Sequence, residues 1–184
     1  YTFTGGNVTK IETPRGITNI SYNSNGTVST VSYPLSRTLT YNYNEYGNIR
    51  EVKDNMNNKT AYGYDNISRV TGITDPNNNS TSYTYDKNDL TINITKPNSV
   101  SVNYSYDLND QLTSVSNPNG QITTLSYNAK DLLQNMVNSL SKTTTFDYYE
   151  NGQMKSKKYG NNLTTNYNYD NSNRLIGINS NNGG

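Results

Sequence analysis

One residue type recurs at a fixed interval along the whole chain. Tyrosine stands at Tyr1, Tyr22, Tyr43, Tyr64, Tyr85, Tyr106, Tyr127, Tyr148 and Tyr169, every 21 residues with no insertion. Two residues before each of the last eight stands another large apolar or aromatic residue: Ile20, Tyr41, Tyr62, Tyr83, Tyr104, Leu125, Phe146 and Tyr167. Self-similarity at such a period marks a stacked repeat array, in which each unit buries its apolar face against its neighbours.

The rest of the unit keeps the same register. Asn or Asp follows the periodic tyrosine in seven of nine copies, including Asp65, Asp86, Asp107 and Asp170. Four residues after the tyrosine, eight of nine copies carry Gly, Asp or Asn, with glycine at Gly26, Gly47 and Gly152. These residues tolerate a left-handed backbone, and a leading Asp or Asn can close an Asx-turn, so the segment predicts a tight β-turn. An apolar pair spaced by three follows, as in Val28 and Val31 or Ile49 and Val52, and then a second breaker such as "NPNG" at 117–120. Each unit therefore reads as strand, tight turn, strand and looser turn.

Alternation supports the first strand: in "TTLSYN", Thr123, Leu125 and Tyr127 share one face. The three-residue spacing in the second strand breaks period two, which requires either a bulge or cover on both faces. No segment has a helical period. The expected fold is all-β, an antiparallel hairpin array forming a curved or spiralling sheet, with a parallel β-solenoid as the alternative. The array is expected to span residues 1–178, eight full units over 1–168 and a partial ninth from 169. Residues 179–184 read as a flexible polar tail.

Composition narrows the function. The chain has 184 residues and a net charge of +1, with no histidine and no cysteine. Disulfides, thiolate and imidazole metal sites, and His-assisted nucleophiles are thereby excluded. Leu, Ile, Val and Phe supply 33 residues, whereas 18 tyrosines, 34 Asn, 24 Thr and 19 Ser dominate. That uncharged, hydrogen-bonding surface argues against nucleic acid as a partner and against membrane insertion. The pairs Asp86/Asp89 and Asp107/Asp110 occupy the two corner positions of the repeated turn, a structural reading that outweighs catalysis or calcium. No catalytic residue, metal or cofactor is expected. Tyr33, Tyr46, Tyr149 and Tyr159 lie outside both periodic series, and the scaffold does not demand them. They are the candidates for contact with surface glycans.

The phrases "YNYDNSNRLIGI" at 167–178, "YGYDNISRVTGITDPNNN" at 62–79 and "YSYDLNDQLTSVSNPNG" at 104–120 resemble the YD-repeat (Rhs-repeat) family, over nearly the whole chain. That resemblance implies a long antiparallel sheet spiralling into a hollow shell, which encloses a toxin in bacterial members and serves adhesion in teneurin-like ones. The family's Arg after the turn stands only at Arg69 and Arg174. Its core-terminating Asp-Pro-x-Gly-Leu motif is not matched, because Asn77 and Asn78 follow Asp75 and Pro76.

The expected role is a non-enzymatic extracellular scaffold, as a wall, arc or fibre. The alternatives are a fragment of a toxin-encapsulating shell and a carbohydrate-binding adhesion module. Self-association through exposed sheet edges, or continuation of the same chain, is the expected partnership, and a secreted or surface location, bacterial rather than animal, the expected address.

Overall fold

A computed structural model describes residues 1–182 and forms two compact units. The first comprises residues 1–84 and 94–99; the second comprises residues 85–93 and the described chain from Val100 onward. The described residues are all β apart from one 3-10 turn, Pro97–Ser99.

The strands of the first unit are β1 (Thr2–Thr4), β2 (Asn7–Thr13), β3 (Gly16–Tyr22), β4 (Val28–Tyr33), β5 (Arg37–Tyr43), β6 (Ile49–Asp54), β7 (Lys59–Tyr64), β8 (Val70–Thr74) and β9 (Ser80–Tyr85). Tyr85 at the end of β9 falls in the second unit, and β10 (Thr91–Lys96) divides between the two after Asn93. The second unit continues with β11 (Val100–Tyr106), β12 (Leu112–Ser116), β13 (Ile122–Tyr127), β14 (Leu133–Val137), β15 (Thr143–Tyr148), β16 (Met154–Lys158), β17 (Leu163–Tyr169) and β18 (Leu175–Asn182). Within each unit successive strands pair antiparallel, β1 through β9 and β11 through β18. This is the hairpin array, and the antiparallel ladders exclude the parallel solenoid.

The apolar spacing of three is resolved by a bulge. Tyr22 pairs with Val28 and Ile20 with Val31, and the register slips by one between Ser21 and Tyr22. One extra residue on β4 thus turns a spacing of three into two steps on the same face. The slip recurs at Tyr43, Tyr64, Tyr106, Tyr127, Tyr148 and Tyr169. Val31, Val52, Ile73, Val115, Met136 and Ile178 therefore stand opposite the residue two places before the periodic tyrosine of the preceding strand.

The second turn is not looser than the first. After Tyr43, the Asn44 amide donates to the Asn48 carbonyl at 2.9 Å and Gly47 to Asn44 at 3.1 Å. The connection after β6 repeats this, with Asp54 to Asn58 at 3.0 Å and Asn57 to Asp54 at 3.2 Å, as does the one at Asn117–Gln121. Both are three-residue loops ending in a left-handed residue, the common bulge-forming hairpin connection. Three connections depart with consecutive positive φ, at Gly5 and Gly6, at Leu35 and Ser36 and at Asn98 and Ser99.

The tail expected from residue 179 is corrected as well. Asn179 to Asn182 continue β18 and pair with Asn166 back to Leu163, because β17 offers its full ladder that far. Residues 183 and 184 lie outside the described residues.

The periodic face is half-covered rather than sealed. Phe146 is the one buried apolar side chain among the described residues, at 8% exposure, while the periodic tyrosines from Tyr22 to Tyr169 are intermediate. A chain poor in Leu and Val thus relies on cross-strand pairs and hydrogen bonds more than on a sealed core.

Gly47 has φ near 82° and nothing within 4 Å of the position a Cβ would take. Its replacement by Ala is expected to cost about 1–2 kcal/mol from backbone conformation alone, read as a lower urea midpoint. An unchanged midpoint would show that the turn does not need its left-handed residue.

Candidate functional site

The site common to the repeats is the end of each hairpin where the periodic tyrosine meets the previous unit. The ladder between β4 and β5 ends at Thr30 opposite Thr40. Three residues further along β5, the Tyr43 hydroxyl donates to the Val28 carbonyl at 2.8 Å. The same bond, reaching back 15 residues, joins Tyr64 to Ile49 at 2.8 Å, Tyr106 to Thr91 at 2.9 Å, Tyr127 to Leu112 at 2.9 Å and Tyr148 to Leu133 at 2.8 Å. Tyr22 makes it to Val8, 14 residues back, at 2.8 Å. In each case the acceptor is at or next to the start of a strand, past the last ladder pair. The phenol thus fastens one hairpin to its predecessor where backbone pairing has ended. A phenylalanine would supply the ring and not the donor.

The companion series (Tyr41, Tyr62, Tyr83, Tyr104 and Tyr167) lies on the same face and is half-buried. Tyr85, like Val70, takes part in an interaction of its own. Tyr169 meets Tyr149 edge to face, with ring centroids 6.2 Å apart and planes at 88°.

The corner carboxylates serve the turns. Asp65 Oδ1 accepts the amides of Ile67 and Arg69 at 3.1 and 2.9 Å, and Oδ2 accepts the Arg69 guanidinium at 2.7 Å. Asp170 repeats this with Ser172 and Arg174. Asp86 accepts from Asn88 and Leu90, and Asp107 from Asn109 and Gln111. The Asp and Arg of the motif are thus two sides of one turn. Gly26 and Gly152 hold the left-handed corner at φ 85°. At three corners that carry a side chain, a lateral bond reaches it from the preceding turn: Asn48 donates to Ser68 at 2.8 Å, Asn88 to Asp110 at 2.7 Å and Asn151 to Asn173 at 3.2 Å. These sideways bonds were not foreseen, although polar residues recurring 20 to 22 apart carry their signal.

Of the four non-periodic tyrosines, Tyr46 projects from a turn at 70% exposure, Tyr33 ends β4, Tyr149 occupies a corner after β15, and Tyr159 stands beneath the Lys157 ammonium at 4.7 Å. Tyr33, Tyr149 and Tyr159 each border a different cleft. Among the described residues no cluster of three acidic groups could hold a metal, and no helix is long and apolar enough to cross a membrane.

Partial burial raises the phenol pKa of Tyr64, Tyr106 and Tyr148 above the ordinary 10.0, since ionisation would place charge in a poorly hydrated site. The unfolded chain then loses these protons first, so this contribution is complete below pH 10 and is lost as pH rises through the folded values. At Asp54 and Asp75 the side-chain amides of Asn58 and Asn79 lower the carboxyl pKa below the ordinary 3.8; at Asp170 the Arg174 backbone amide leads. Their contribution is complete above pH 4 and is lost as pH falls through the folded values. Urea midpoints are therefore expected to form a plateau between about pH 5 and 9 and to fall on both sides; a midpoint still rising above pH 10 contradicts the burial of the phenols.

Tyr106→Phe is expected to cost about 1 kcal/mol, the worth of one hydrogen bond. Tyr106→Ala should cost more, though less than the roughly 3–5 kcal/mol of a fully buried aromatic, because its ring is half-exposed. Tyr46→Phe should change nothing. Equal midpoints for all three variants would deny the phenol its role.

The teneurin YD-shell family matches residues 10–184 of the chain. No curated protein matches it by sequence. Among solved structures, the TcdB2-TccC3 complex aligns over 95% of the chain with a TM-score of 0.80 at 14% identity. The TcdB2-TccC3-TEV structure aligns over 95% with a TM-score of 0.77, also at 14% identity. The Tc holotoxin pore of Photorhabdus luminescens aligns over 96% with a TM-score of 0.71 at 15% identity. The chain spans only about a tenth of those toxin chains, 11%, 11% and 10% of their length. By a family match that covers all but its first nine residues, the chain belongs to the teneurin YD-shell family.

Proposed function

We propose that the chain is a segment of the wall of a secreted, non-enzymatic shell, one stretch of a longer YD-repeat polypeptide that encloses other material. The observation that carries this reading is the phenol–carbonyl fastening, repeated at 21-residue pitch from hairpin to hairpin. It joins unit to unit without a sealed core in each, which suits a sheet extended as a wall. Family membership supports the structural role. The likeness to Tc toxin complexes supports the sheet geometry, and enclosure of a toxin is a reading added to it.

A fibre built from separate copies is the rival arrangement, since most units present the same fastening to the next. The two are told apart by the intact mass of the polypeptide purified from its source, together with negative-stain microscopy. The shell reading expects a mass many times 20.6 kDa and hollow particles. A native mass near that value with filaments on the grid would overturn it in favour of the fibre.

A further inference from the structure

The second unit places tyrosine at two turn corners where its other repeats carry Asn or Asp, Tyr149 in the first turn and Tyr159 in the second. The first of these is the informative one. Where other copies place Asn23, Asn44, Asp65 or Asn128 after the periodic tyrosine, this unit places Tyr149. The turn does not need it. Its backbone closes as elsewhere, Tyr149 to Gln153 at 2.9 Å and Gly152 to Tyr149 at 2.9 Å, and Asn151 Oδ1 takes the Gln153 amide at 3.1 Å. The substitution gives up the corner side chain's bonds to the turn amides and supplies a ring that is 39% exposed.

That ring is held in place. It meets Tyr169 at right angles, and its hydroxyl donates to the Tyr167 carbonyl at 3.3 Å. The two rings border a cleft of about 570 Å³ whose rim includes Asn151, Gln153, Asn168 and Asp170. This size lies within the range of small-molecule sites, about 300–1,000 Å³. Rigid aromatic faces flanked by planar amides suit a ligand with an apolar C–H face and a ring of hydroxyls. Asn151 gives its N–H groups to Gln153 and Asn173 and keeps acceptor capacity, Gln153 keeps one N–H beyond its bond to the Asn173 carbonyl, and the Asn168 amide can both donate and accept. The rings present large contact area at small entropic cost. Charge is balanced there: Arg174 pairs with Asp170 at 2.8 Å, and the Lys155 ammonium, which lies over the Tyr149 ring at 6.0 Å from its centroid, offsets the charge of Glu150 on the rim. A neutral ligand is favoured over an anion. Tyr33 and Tyr159 lack this arrangement: they border smaller clefts of about 380 and 320 Å³, each with no second ring.

From this geometry we infer that the Tyr149–Tyr169 cleft is a binding subsite for a neutral carbohydrate, with Tyr149 as the stacking platform and Asn151, Gln153 and Asn168 as hydroxyl partners. The inference stands whether or not the wall closes into a shell.

The test titrates the full chain with cellohexaose, chitohexaose, maltohexaose and hexagalacturonate by isothermal calorimetry. Tyr149→Asn restores the residue type that other units use at this corner, so it is expected to fold with an unchanged melting temperature. At least one neutral hexasaccharide is expected to bind, with affinity at least tenfold lower in Tyr149→Asn and unaltered in Tyr46→Asn. Failure of all three neutral sugars to bind, binding indifferent to Tyr149→Asn, or preference for hexagalacturonate would each overturn the assignment.

Discussion

The bond between a phenol and a backbone carbonyl fifteen residues earlier is the constraint on which this structure depends. Each hairpin is closed by its own ladder, but successive hairpins share a ladder only part of the way: between β4 and β5 it ends at Thr30 and Thr40. Beyond that point the Tyr43 hydroxyl holds Val28. An inserted residue within the strand that carries the tyrosine would shift it to the other face, since side chains alternate along a strand, whereas a connection can change length, as Tyr22 shows by reaching Val8 over 14 residues. Six of the nine periodic tyrosines make this bond, which favours keeping tyrosine at its place while most other positions drift. A six-residue strand, a five-residue connection, a five-residue strand and a second five-residue connection fill the period, as β13, β14 and the start of β15 show.

Drift elsewhere is tolerated because several residue types meet each local need. The left-handed corner accepts Gly47, Ser68, Asp110 or Asn173, and the non-glycine residues offset their strained φ with lateral bonds to the preceding turn. The leading corner accepts Asn or Asp because either side-chain oxygen can take two backbone amides. Val31, Met136 and Lys157 occupy one and the same position of the unit. Lysine fits there because its ammonium lies over the rings of Phe146 and Tyr159, at 5.5 and 4.7 Å.

Much of this was legible in the sequence. The two tyrosine series, the Asx corner and the left-handed position gave the hairpin array, because each reflects a local backbone requirement. The bulge was implied by the spacing of Val28 and Val31, but only the paired register chose it over cover on both faces. The second turn was misjudged as looser: Asp54, Asp75, Asn117 and Asn138 recur at the same period, yet Pro76 and Pro118 obscured their likeness to the first turn. Asn179 to Asn182 read as a tail because they are polar, whereas a strand half-exposed on both faces has no need of apolar residues. The partner of the tyrosine hydroxyl could not be read at all, since it depends on where neighbouring ladders stop. For the same reason the sequence could name Tyr149 as a spare aromatic but not place it beside Tyr169.

The direct measurement of the central claim is hydroxyl-proton exchange by NMR on chain carrying labelled tyrosine. Hydroxyl protons of Tyr43, Tyr64, Tyr106, Tyr127 and Tyr148 should exchange slowly enough to be observed as separate resonances, while that of Tyr46 should be lost to fast exchange with water. Uniformly fast exchange across all eighteen tyrosines would contradict the account, leaving the period a matter of ring packing alone.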